Sequence, residues 1–197
     1  DVIDYDGNGY TAIEIGSQIW LNQNLKVAHY RNGDAIHFID NLNEWSQESH
    51  GKFSYYDYSE LMKNIHGNLY NFHAVADSRG LCMEGYHVAT PNDWTILFTY
   101  LGGRSQAGGK LKQTSYDHWN SPNTGASNSS QFKALGGGQI EHSNQSFVLL
   151  HQNAMYWTNY EYGAEEAHME QLYYNSSQLA SYFRNKLNGY SIRCIQD

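Results

Sequence analysis

Charge is scarce in this chain. Asp, Glu, Lys and Arg make up 16% of its 197 residues, and the 12 basic side chains form no run while the net charge is −8. Nucleic acid and anionic membranes, which select for clustered cations, are therefore poor partners. No apolar stretch reaches the length of a spanning helix, so no transmembrane segment is expected. No signal peptide is visible either, and export would place Asp1 at or after the processing point. Catalytic signatures are equally thin. There is no Gly-x-Ser-x-Gly elbow, and Gly108-Gly109-Lys110 lacks the spacing and the hydroxyl of a phosphate-cradling loop. The ten histidines include no pair at i, i+2 or i, i+4, the spacings that bring two imidazoles to one metal.

Cysteine is the last scarcity, and it is informative. Cys82 lies mid-chain and Cys194 close to the C-terminus, with no metal or redox motif beside either. One disulfide between them would close more than half of the chain and constrain the unfolded state by roughly 4–5 kcal/mol. Such a bond needs an oxidising compartment, hence an extracellular or cell-surface location. The alternative is two buried free thiols in a cytosolic protein.

What the chain does have is tyrosine, 17 residues of it, with 18 Gly and abundant Asn and Ser. A polar but weakly charged surface of rings and amides suits binding loops better than an ion-pair-rich cytosolic exterior. The 40% hydrophobic content supports a real core, and the length fits a single domain over 1–197.

Two β-prone runs, VIDY and YTAIEIGSQIW, flank Asp6-Gly7-Asn8-Gly9 and predict a hairpin. AIHFI and FSYY read as short strands. Helical spacing of Leu69, Phe72 and Ala76 predicts a helix within 67–80. A second helix starts at Thr90-Pro91 with Asp93 in its first turn, buries Trp94, Leu97, Phe98 and Leu101, and ends at Gly102-Gly103. Residues 102–146 read as a long loop anchored by Trp119, Phe132 and Leu135, a length that suggests function. The runs SFVLLH, AMYWTNYEY, HMEQLYYN, QLASYF and GYSIRCI then predict an antiparallel meander.

Four ordered segments carry a resemblance: DYDGNGYTAIEIGSQIWLNQNL, GNLYNFHAV, LCMEGYHVATPNDW and the closing GYSIRC. Together they resemble the Fibrobacter succinogenes major paralogous domain, a secreted bacterial module, over nearly the whole chain. The box around Tyr86-His87-Val88 and the closing strand are also similar to formylglycine-generating-enzyme-like and C-type-lectin-like domains. The resemblance implies an α+β, C-type-lectin-like mixed fold: two helices packed on a twisted antiparallel sheet, with long irregular loops and one disulfide. Met83, Tyr86 and Ala89 depart from the family's usual proline, tryptophan and proline. These swaps bear on local loop geometry more than on the fold.

The enzymes of that fold use a pair of reactive cysteines with copper, and a disulfide between Cys82 and Cys194 leaves no thiol for that role. Lectin-type calcium loops have look-alikes in Thr90-Pro91-Asn92-Asp93, better explained as a helix start, and in Trp157-Thr158-Asn159, which lacks the final Asp. Asp4, Asp6 and Asn8 begin like a calcium-binding EF-hand loop, but position twelve is Ile15 where a bidentate Glu belongs; a hairpin turn is the plainer reading. Glu161, Glu165 and Glu166 read as a solvated acidic turn rather than a catalytic pair. Asn128, Asn144 and Asn175 head N-glycan acceptor triplets in a cell with the machinery.

The residues therefore favour binding over catalysis, with no cofactor required and calcium the one candidate. Trp157, Asn159, Tyr160, Glu161 and Tyr162 are the expected ligand-binding set, within a C-terminal third also crowded with Tyr156, Tyr173, Tyr174 and Tyr182. Rings stack on sugar faces or pack on protein partners while amides reach hydroxyls. Alternation along strands sends some of these rings to the core. The expected function is an extracellular adhesion or binding module for carbohydrate or a surface protein. The alternatives are a fibre or surface-layer subunit that pairs with copies of itself, and an enzyme of unknown type.

Overall fold

The N-terminal hairpins form where the turn residues dictate. In the computed structural model, which describes residues 2–47 and 50–197, β1 (Val2–Ile3) pairs with β2 (Gly9–Tyr10), with Gly7 at φ +80° in the turn. A second hairpin joins β3 (Ala12–Ile15) to β4 (Gln18–Leu21) across Gly16. β5 (His37–Phe38) runs parallel to β6 (Lys52–Ser54), and α1 (Glu60–His66) follows, capped by the Ser59 hydroxyl.

The helix expected within 67–80 is one turn, α2 (Phe72–Val75), preceded by the strand β7 (Leu69–Tyr70). Tyr70 stays extended because its N–H donates to Tyr190, and the Asn71 side chain caps only the turn that follows. After β8 (Tyr86–Val88), α3 (Pro91–Tyr100) opens on the capping box that the sequence predicts: Asp93 N–H donates to Thr90 Oγ1 at 3.1 Å and Thr90 N–H to Asp93 Oδ2 at 2.8 Å. The region read as a long loop contains α4 (Arg104–Leu111) and the whole of β9 (Gly137–Glu141). Gly108 in α4 presses on the chain at Gln178, where a Cβ would fall 2.6 Å from a carbonyl oxygen. Close packing, not phosphate binding, explains that glycine.

β9 pairs with β10 (Ser146–Leu150), while β11 (Asn153–Tyr162), β12 (Glu166–Tyr173) and β13 (Leu179–Asn185) form the three-stranded antiparallel sheet. The expected five-strand meander is thus three strands. SFVLLH turns back on β9, and the closing segment leaves the meander altogether. Gly189 bridges Ile140, Tyr190 bridges Tyr70, and Ser191 bridges Tyr156 before β14 (Cys194–Gln196) pairs with β4 and β8. One segment therefore stitches together strands from across the chain. The Cys82–Cys194 disulfide fastens it, with Cα atoms 6.0 Å apart across 112 residues.

The architecture is α+β, with four α-helices spread around five small sheets among the described residues rather than two helices on one sheet. Register makes β11–β13 a partition. Met155, Trp157, Ala167 and Met169 face one core with Tyr70, Phe72 and Tyr190, while Ala154, Tyr156, Leu172 and Leu179 face another with Trp20, Trp94, Trp119 and Phe132. The departures Met83, Tyr86 and Ala89 are all buried in these cores. Among the described residues no helix is long and apolar enough to cross a membrane.

Candidate functional site

Burial along β11 changes abruptly: residues 153–158 are buried and residues 159–162 are exposed. The pairing slips between Trp157 and Glu161, so a bulge marks the point where the sheet leaves both cores and projects. Trp157 lies on the buried side of that point. Its indole N–H donates to Tyr70 O at 2.9 Å and its ring packs on Tyr190 at 4.4 Å, so it belongs to the core and not to the expected ligand-binding set.

The other members of the set are on the projecting end. Tyr162 is 52% exposed and stacks on Phe183 of β13, with ring centres 4.2 Å apart and planes at 29°. His168 of β12 stands edge-on to the same Phe183 at 5.5 Å. Register explains the grouping, because Tyr162 opposes Glu166 and Phe183 opposes His168, two positions on one face of β12. Tyr160 and Asn159 are exposed beside them. Phe183 was not in the expected set; its place in QLASYF carries no sign that its ring faces Tyr162.

Glu161 points to the opposite face, where it pairs with Lys186. That ammonium, buried itself, also donates to Gly163 O at 2.7 Å and Ala164 O at 2.8 Å, and so pins the turn beneath the tyrosines. The Lys186 hydrogen bond holds the Glu161 carboxyl below its usual range. Glu165 and Glu166 are exposed, as a solvated acidic turn requires.

Two clefts open nearby and share His37 and His50. One of about 500 Å³ is also lined by Asn41, Asn43, Glu44 and Gln47, and one of about 320 Å³ by Tyr30, His73, Asp77 and Arg79. The His37 and His50 rings meet edge-on at 5.2 Å. Burial, then the charges of Lys186 and Lys52, lower the His73 pKa against the pull of Glu161. These histidines come from separate segments, which is why no spacing rule points to them.

The N-terminal Asp4, Asp6 and Asn8 make a turn rather than an open ligand cage. Asp4 accepts from the Asp6 and Asn8 backbone, from the Asn8 amide and from the Tyr10 hydroxyl at 2.7 Å. Asp6 accepts from the Ala28 N–H and meets His29. Asn8 turns its amide donors, not its oxygen, toward Asp4, while the Asp6 carboxylate turns away to Ala28 and His29, so the three side chains do not converge on one point. Among the described residues no group of three His, Cys, Asp or Glu is placed to hold a metal, and no cysteine is free.

Residues 13–196 match the Fibrobacter succinogenes major domain family. No curated protein and no solved structure matches the chain.

Proposed function

We propose that this chain, which belongs to the Fibrobacter succinogenes major domain family, is a secreted or cell-surface binding module of C-type-lectin-like fold that grips carbohydrate without transforming it. The observation that carries this reading is the exposed Tyr162–Phe183 stack at the end of β11–β13. Paired aromatic rings held rigid by a sheet offer an apolar face at low entropic cost, and sugar C–H faces are apolar in the same sense. Asn159 is exposed at the same end of β11 as a polar group for hydroxyls, Glu161 is engaged by Lys186 on the opposite face, and the His37–His50 clefts add amides and imidazoles. The disulfide supports an oxidising location.

A glycan array probed with the intact chain tests this reading. The expected result is a defined set of glycans whose signal falls at least tenfold on Tyr162→Ala or Phe183→Ala. Retention of a surface protein with a blank array would move the reading to a protein partner.

The second reading, a self-assembling subunit, is favoured by one feature: β13 is the outer strand of its sheet and carries exposed Phe183 and Arg184. Electron microscopy of the native material separates the two, since a binding module is expected to show single particles and a fibre subunit extended assemblies.

A further inference from the structure

Three histidines that the binding surface does not use meet at one junction, His66 buried and His118 and His151 half-buried over it. His66 ends α1, His118 lies between α4 and β9, and His151 sits in the turn from β10 to β11. The His66 ring stands 5.6 Å edge-on from His118 and 5.9 Å from His151. Backbone draws them together: Gly136 N–H donates to His118 O at 3.2 Å, and His151 N–H to Gly136 O at 2.7 Å. A Cβ at Gly136 would fall 2.8 Å from His118 O and 2.9 Å from His151 Cα, so only glycine allows this approach.

His66 is 3% exposed, and its Nδ1 is buried without a hydrogen-bond partner. A neutral ring bears that at the cost of one unmade bond. An imidazolium there would be a buried charge facing two further imidazoles. The other charges nearby do not compensate it. Lys133 and Arg193 line a cavity of about 160 Å³ with His118, and no carboxylate lines it. On the adjoining elements Glu60 turns to the Tyr55 hydroxyl and Lys63, Asp117 to Ser115, and Glu141 to Gln139 and Ser143. Asn24 meets His66 only through the backbone, its amide donating to His66 O at 2.7 Å.

We propose that His66, His118 and His151 form an acid-sensitive latch, which when neutral holds the end of α1 and the 112–136 segment against the start of β9 and when protonated opens that junction. Burial, then His118 and His151, pull the His66 pKa from 6.5 down to about 4, and burial with His118 lowers that of His151. A folded-state value below the unfolded one means that the unfolded chain binds more protons between the two. Stability is then whole above the ordinary histidine value and is lost as pH falls toward about 4. Proton uptake by histidine clusters is a general means of opening packed junctions.

The test is the melting temperature of the intact chain between pH 7.5 and 5, a window above most carboxylate titration. The wild type is expected to lose roughly 4–8 °C, and His66→Leu, which fills the space with a group that takes no proton, to lose less than half of that. Imidazole NMR adds a second readout. In the folded wild type His66 is expected to stay neutral at pH 5.5, and in His118→Gln the His151 titration is expected to move up toward its ordinary value. Parallel pH dependence in wild type and His66→Leu would overturn the latch. If His66→Leu does not fold, an unmoved His151 titration in His118→Gln would do so.

Discussion

The guanidinium of Arg193 lies 4.1 Å from the centre of the Phe132 ring, buried between the chain at residues 21–24 and at residues 132–133. Its donors reach Leu21 O at 2.9 Å, Phe132 O at 2.7 Å, Lys133 O at 3.2 Å and Asn24 Oδ1 at 2.7 Å. Carbonyl dipoles and a π-face solvate this buried charge. Arg193→Ala is expected to cost about 3–5 kcal/mol in denaturant melts, because several buried acceptors lose their donor at once. Arg193→Lys is expected to recover less than half of the loss, since one ammonium cannot span the same fork.

Reduction should loosen the fold without abolishing it. Breaking Cys82–Cys194 frees a 112-residue loop, and the expected loss is about 2–5 kcal/mol, read as a lower denaturant midpoint with dithiothreitol. Cys82→Ala/Cys194→Ala is expected to match the reduced wild type. An unchanged midpoint on reduction would separate the disulfide from the stability of the fold.

Trp94 packs edge-on against Trp20 at 5.2 Å and lies 5.7 Å from Phe132, fully buried. Trp94→Ala is expected to cost about 3–5 kcal/mol. Trp94→Phe should cost far less than the volume change alone implies, because the buried indole N–H has no acceptor and its removal relieves that penalty. Urea melts of the two variants give the comparison directly.

Tyr162→Ala and Phe183→Ala should behave in the opposite way. Both rings stand outside the cores, so each variant is expected to lose less than about 1 kcal/mol while ligand retention falls at least tenfold. A binding loss matched by an equal loss of folded protein would mean that the stack is structural.

Much of the fold is legible locally. Turn chemistry at Asp6-Gly7-Asn8-Gly9 yields the first hairpin, and the Thr90–Asp93 box starts α3 where the side chains demand it. Both signals act within a few residues, so a linear reading captures them. α2 is shorter than its spacing suggests because Tyr70 is recruited by Tyr190 far along the chain, a partner that periodicity does not see. Trp157 misleads for a related reason. It sits in the same tyrosine-rich run as Tyr160 and Tyr162, and only the bulge after it divides core from surface.

The ordered motifs by themselves carried the resemblance to the family, and through it the expectation of an α+β class; the two cysteines left a disulfide or two free thiols open, and composition marked the tyrosine-rich end of the chain. Tertiary structure decided which rings face solvent, that Phe183 joins Tyr162, and that His66, His118 and His151 meet. The physical reason is range. Caps, turns and alternation are set by neighbours in sequence, whereas a strand's outward face, a stack across two strands and a cluster drawn from three loops depend on pairings between distant segments, here closed by the stitch from Gly189 to Gln196.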